Sequence, residues 1–146
     1  MLNVEINLVL FIVLLNIIGL WVSFYIYNKK TKKKKLICPS RTGCDKVVNS
    51  KYSKIMGISL EVIGVLYYLF SAVIYSFIFL FSGQMFLIVS LLFFIHLVAF
   101  VFSLRLILLQ AFIIKRWCMW CLFSAIISIS VFVLSFFLFK EIVFIY

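Results

Sequence analysis

Apolar residues run along this chain in stretches too long for the core of a soluble domain. The first stretch, Ile6 to Tyr27, contains no charge. The second, Ile55 to Ser82, is broken only by Glu61. The third, Met85 to Ile114, carries His96, Arg105 and Gln110, and the fourth runs from Cys118 to Phe139. A helix rises about 1.5 Å per residue, so about 20 apolar residues cross the roughly 30 Å hydrocarbon core of a bilayer. Each stretch meets that length, and the middle two are expected to tilt or extend past it. Backbone groups in lipid must be satisfied within their own segment, so helices are the predicted elements. The pattern therefore predicts an all-α integral membrane protein, a four-transmembrane-helix bundle with spans at about 6–27, 55–82, 85–114 and 118–139. A tight turn at Ser82-Gly83-Gln84 joins the second span to the third, and Lys115-Arg116 joins the third to the fourth. The remaining loop, 28–54, is the one functional loop of a single membrane domain covering 1–146.

Composition agrees. The 146 residues are 67% hydrophobic and 12% charged, which excludes a water-solvated globule. With 18 Phe the chain cannot remain disordered in water. One Pro and 5 Gly leave little material for turns, so a few long elements are expected. Glu5 precedes the first stretch where a leader peptide would carry basic residues, and no small-x-small cleavage site follows. The first span is therefore expected to be retained. No internal repeat is visible.

The net charge of +10 is concentrated. Lys29, Lys30 and Lys32 to Lys35 directly follow the first span; Arg41, Lys46, Lys51 and Lys54 share its loop, and Lys115 and Arg116 lie in the third connection. In a bundle of four spans the first and third connections share one membrane face. The positive-inside rule places that face in the cytoplasm and both termini outside. The lysines also suit contact with anionic membrane lipid. No aromatic residues interleave the lysine run, so no nucleic-acid partner is expected.

The candidate chemistry is in four cysteines. Cys38 and Cys44 form a C-x5-C pair in the loop, and Cys118 and Cys121 a C-x2-C pair opening the last span. The span count puts both pairs on one face, where one sulfur can reach another. At the start of a helix Cys121 lies about 4.5 Å deeper than Cys118 along the axis. Cys118 then sits at the positive end of the helix dipole beside Lys115 and Arg116, which favours thiolate. Cys118 is expected to exchange with an aqueous thiol or the loop disulfide, and Cys121 to face an apolar oxidant. Inert structural disulfides and a four-cysteine zinc site are the competing readings. The second belongs to an alternative function, a non-enzymatic metal-binding or thiol-sensing membrane protein.

Several motifs together resemble the vitamin K epoxide reductase (VKOR) family, its prokaryotic members most of all. They are Cys38-Pro39, Cys44-Asp45-Lys46-Val47-Val48, Ser50-Lys51-Tyr52-Ser53, Gly57-Ile58, Gly64 with Tyr67-Tyr68, and Trp117-Cys118-x-x-Cys121-Leu122. The other four-helix disulfide-forming membrane family places C-x-x-C in the first loop and fits less well. The resemblance implies a quinone-coupled thiol oxidoreductase that generates protein disulfides. Cys121 matches the cysteine that passes electrons to the quinone, Cys118 its partner, Cys44 the loop cysteine that exchanges with Cys118, and Cys38 the one facing an outside thiol protein. Ser50 matches a serine near the quinone site, and Tyr68 lies near the same pocket. No thioredoxin-like segment is present in the chain, so the implied partner is a separate thioredoxin-like protein or substrate dithiols. Ala125 and Leu60 stand where animal members carry the Tyr and Asn that contact vitamin K. A respiratory quinone of menaquinone or ubiquinone type is therefore expected, rather than the epoxide.

Glu61, near the start of the second span, has two readings: a quinone contact or proton relay, and an ion pair with a nearby Lys or Arg at the interface. His96 is expected to make an interhelical hydrogen bond, with a quinone or proton role as the alternative, and Arg105 to reach toward the basic face. The family usually turns its cysteines away from the cytoplasm, whereas this lysine pattern points them inward. An inward-facing enzyme suits a cell that keeps disulfides inside, as hyperthermophiles do.

Overall fold

A computed structural model of the chain describes residues 2–38, 43–80 and 85–145. Helix α1 covers Leu2–Thr31, and a short helix α2 covers Cys44–Val48. A two-stranded hairpin follows, β1 at Lys54–Ile55 and β2 at Ile58–Ser59. Helices α3 (Leu60–Leu80), α4 (Met85–Leu108) and α5 (Met119–Ile145) complete the chain. Helices α1, α3, α4 and α5 are each long and apolar enough to cross a membrane. The chain is an all-α four-helix membrane bundle, with α2 and the hairpin as a small cap on one end. The turn expected at Ser82–Gln84 and the segment 39–42, including Arg41, lie outside the described residues.

The spans differ from the apolar runs at their ends, for identifiable reasons. Helix α1 continues past Tyr27 to Thr31, because Lys29 and Lys30 in its last turn suit the negative end of the helix dipole. The second span begins at Leu60 rather than Ile55. Lys54 pairs with Ser59 and Ile55 with Ile58, and the two residues between them, Met56 and Gly57, both have positive φ (51° and 86°). Two left-handed residues in a two-residue loop make a tight hairpin, not a helix. Glu61 consequently lies in the first turn of α3. The third span ends in a π-helical turn, Leu109–Ile114. The fourth runs on through Lys140 and Glu141 to Ile145.

Helix α3 packs on α1, α1 on α5, and α5 on α4, while α3 and α4 are not among the closely packed pairs. One hydrophobic cluster fills the bundle, with Ile12, Tyr75, Val89, Leu92 and Val131 fully buried. A second fills the cap: Val22 and Ile26 from α1, Leu36, Cys44, Val47, Val48 and Cys118. Outward-facing residues such as Trp21, Phe24, Leu66, Phe94 and Phe137 are exposed, as lipid contact requires.

Candidate redox and quinone site

The cap brings the cysteines together. Cys38 and Cys44 are joined by a disulfide whose Cα atoms are 6.4 Å apart. Gly43, with φ 82°, turns the chain into α2 and packs against the Arg116 side chain. Asp45 accepts a hydrogen bond from the Leu36 amide at 3.0 Å, tying the strand before Cys38 to the helix after Cys44. The Trp120 indole donates to the Ile37 carbonyl at 3.0 Å, and its ring lies tilted against that of Tyr25 with centroids 4.8 Å apart. The loop pair is thus tethered directly to the helix that carries the other pair. Cys44 and Cys118 are both buried in the cap cluster, with Cys38 and Cys121 packed against it.

Cys118 stands immediately before α5 and caps it. Its carbonyl accepts from the Leu122 amide at 2.9 Å, and its Sγ from the Cys121 amide at 3.3 Å. A sulfur in the N-cap position faces otherwise unsatisfied amides and the positive end of the dipole. Hydrogen bonding from the Cys121 side chain, aided by backbone amides, lowers the Cys118 thiol below its ordinary value, although burial opposes this. Gln110 fixes the approach: its side-chain oxygen accepts from the Cys118 amide, and its carbonyl from the Arg116 amide, both at 3.2 Å. Lys115 is left-handed at φ 53°, reversing the chain after the π turn.

Cys121, one turn further in, lines a cavity of about 590 Å³. The cavity is bounded by α3, α4 and α5. Its walls include Leu60, Tyr67 and Tyr68 from α3, Ile95 and Phe102 from α4, and Ser124, Ala125 and Ser128 from α5. The cap closes it with Ser50, Tyr52 and Ser53. An apolar cavity of this size with a few polar groups has the character of a small-molecule site. Leu91, Phe94 and Val98 line it while remaining exposed, so it opens sideways toward lipid.

Ser50, Glu61, Tyr68 and Cys121 all fall on this one wall system. The polar side-chain atoms of the first three are engaged within the protein. Ser50 Oγ donates to the Val47 carbonyl at 2.8 Å, and Tyr68 Oη to the Ser124 carbonyl at 2.8 Å. Glu61 pairs with Lys30 at 3.1 Å, both side chains being largely buried, and Lys30 also reaches Ser53 Oγ at 3.2 Å. The ion-pair reading of Glu61 is the geometry observed, on a residue that also lines the cavity. His96 makes the interhelical bond expected of it, with Tyr67 Oη at 2.7 Å from its Nδ1. Among the described residues no three His, Cys, Asp or Glu side chains are placed to hold a metal. Gln110, Trp120, Asp45 and Lys30 shape the site without having been singled out from sequence. Gln110 carried a signal as a polar residue inside an apolar run, and Trp120 as the aromatic inside the C-x2-C.

Fold and site together describe a multi-pass membrane protein with thiol chemistry at one end of its bundle. The model of the vitamin K epoxide reductase family matches residues 10–136, and the chain belongs to that family. Membership makes it, in general terms, a quinone-linked thiol oxidoreductase of the disulfide-forming kind. No curated protein matches the chain.

Proposed function

We propose that this protein oxidises dithiols to disulfides and passes the electrons to a membrane quinone of menaquinone or ubiquinone type. A dithiol on a separate thioredoxin-like protein, or on a substrate itself, attacks the Cys38–Cys44 disulfide at Cys38. The incoming dithiol closes to a disulfide, leaving Cys38 and Cys44 as thiols. Cys44 then exchanges with an oxidised Cys118–Cys121 pair through Cys118, which restores the loop disulfide and reduces the helix pair. A quinone held in the cavity beside Cys121 would supply the acceptor for two electrons and two protons. The Cys118 and Cys121 thiols give these up as the sulfur–sulfur bond between them re-forms. Ser50, Glu61 and Tyr68 serve as walls that shape and orient the site. The net change is two thiols to one disulfide and one quinone to quinol, balanced in electrons and protons.

The observation that carries this reading is the position of Cys121: on an apolar cavity on one side, and one helical turn from Cys118, which shares a buried cluster with Cys44. The deciding measurement is anaerobic reduction of menaquinone and ubiquinone analogues by a dithiol, using purified protein in detergent. Wild type is expected to turn over and Cys121→Ala to be inactive. Cys38→Ala is expected to keep turnover with a small dithiol that bypasses the loop, and to lose it with a protein dithiol. An inert wild type overturns the proposal.

We also propose that the cysteine face lies in the cytoplasm. The lysines after α1 and the pair Lys115-Arg116 support it, because positive flanks of this density oppose translocation. In intact cells treated with a reductant, a membrane-impermeant maleimide is expected to spare Cys38. Efficient labelling from outside would reverse the orientation.

A further inference from the structure

We propose that Tyr67 is the hydrogen-bond donor this cavity presents to a quinone carbonyl, and that His96 is the positioning residue that frees its hydroxyl proton. The inference rests on the quinone reading above. A quinone carbonyl only accepts hydrogen bonds, so the site needs a donor with its proton uncommitted. Three polar residues nearby on the wall do not qualify. Tyr68 gives its proton to the Ser124 carbonyl, Ser50 to the Val47 carbonyl, and Glu61 is held by Lys30.

Tyr67 is different. It lines the cavity from α3, and its hydroxyl lies 2.7 Å from His96 Nδ1 on α4. His96 is fully buried, its ring lies parallel to that of Tyr75 at 5.8 Å, and its Nε2 has no partner. A neutral imidazole carries one N–H and one bare nitrogen. A proton on Nε2 would be a buried donor with no acceptor, the rarer and costlier orphan. A proton on Nδ1 is satisfied by the Tyr67 oxygen. The tautomer that suits His96 therefore makes Tyr67 the acceptor in that pair, and its own O–H turns elsewhere. Ser128 lies beside Tyr67 on the cavity wall, with its hydroxyl facing that of Tyr67. The two hydroxyls form a small polar spot on an otherwise apolar wall. A donor already aimed at the carbonyl stabilises the charge that develops on its oxygen during reduction.

The chain has a single histidine, so its tautomer can be read directly. In protein labelled with ¹⁵N-histidine, Nδ1 is expected to carry the proton and Nε2 to be bare. The reverse assignment overturns the inference, whatever the protein does with quinones. The second readout is infrared difference spectroscopy with menaquinone bearing ¹³C at its carbonyls. One carbonyl band is expected at lowered frequency in wild type and released upward in Tyr67→Phe. The quinone KM is expected to rise about fivefold, the scale of one lost neutral hydrogen bond. His96→Asn keeps an N–H where Nδ1–H stood and is expected to retain the lowered band, whereas His96→Phe is expected to lose it. Wild type that neither binds nor reduces quinone overturns the quinone reading along with this one. Wild type that does both, with band and KM unchanged in Tyr67→Phe, overturns the Tyr67 assignment alone.

Discussion

The two hydrophobic clusters of this protein are built by different means. The bundle cluster draws on long regular helices, and its polar atoms meet in pairs across them: Tyr75 with Ser135, Tyr68 with Ser124, Tyr67 with His96. The cap cluster is assembled from the end of α1, an irregular strand at Leu36, the five residues of α2 and the residue before α5. Its nearby backbone visits the left-handed region at Lys33, Gly43, Met56, Gly57 and Lys115. Regular helices satisfy their own amides, so the bundle holds its shape through packing. The cap depends on a few polar ties and one disulfide. Thiol exchange breaks that disulfide in every cycle of the proposed reaction. A segment that must open and reclose is therefore placed where the structure is least regular, beside a helix terminus that stays fixed.

The largest expected effect comes from separating the two regions. The Lys30–Glu61 pair joins the end of α1 to the start of α3 beneath the cap, with side chains 15% and 8% exposed. Glu61→Ala leaves the lysine charge unpaired and should cost about 2 to 3 kcal/mol. Thermal unfolding in detergent is expected to show a lowered midpoint, with cap residues gaining amide exchange before bundle residues do. Equal loss in both regions would mean that they unfold as one unit. A smaller cost is expected from Gly19→Ala, inside the bundle. The added Cβ would lie 2.5 to 2.7 Å from the Tyr68 ring. Overpacking of this kind costs about 1 to 3 kcal/mol. Because the ring must move away from Ser124, the quinone KM should rise while exchange at the loop disulfide stays normal.

Acid–base behaviour separates the pairs again. A lowered Cys118 thiol forms thiolate at lower pH than a free cysteine, so alkylation of Cys118 in the reduced helix pair should persist as pH falls below about 8.5, the ordinary thiol midpoint. Hydrogen bonding by Cys121 is the leading cause of that lowering. In a background with Cys38 and Cys44 replaced by Ser, ultraviolet titration of the Cys118 thiolate should therefore show its midpoint move up in Cys121→Ala. An unmoved midpoint would assign the shift to the helix terminus alone.

The comparison also explains what could be read before the structure. The spans were legible because apolar runs report bilayer thickness directly. The meeting of the cysteine pairs was legible because counting spans assigns faces, and the depth of Cys121 followed from helical rise. The hairpin was not, since Ile55 and Ile58 look like the start of a span; Gly57 was its one local cue. Helices apolar on every side give no period that says which face points inward. The Tyr67–His96 contact, between residues 29 apart in sequence, was invisible for that reason. So was the choice of Lys30, among a run of similar lysines, as the partner of Glu61.

The smallest effect expected is also the most selective. Trp120 sits inside the C-x2-C, yet its indole N–H reaches across to the Ile37 carbonyl beside Cys38. Trp120→Phe keeps an aromatic surface for Tyr25 while removing that donor. One neutral hydrogen bond is worth about 1 kcal/mol, or about a fivefold change in rate. The bond fixes the strand carrying Cys38 but touches neither Cys121 nor the cavity. Stopped-flow measurement should therefore find the step between loop and helix pairs slowed about fivefold, with quinone reduction by the pre-reduced helix pair unchanged. Equal slowing of both steps would place Trp120 in the frame of α5 itself, and the division between an adaptable cap and a rigid bundle would then have to be drawn on the other side of the C-x2-C.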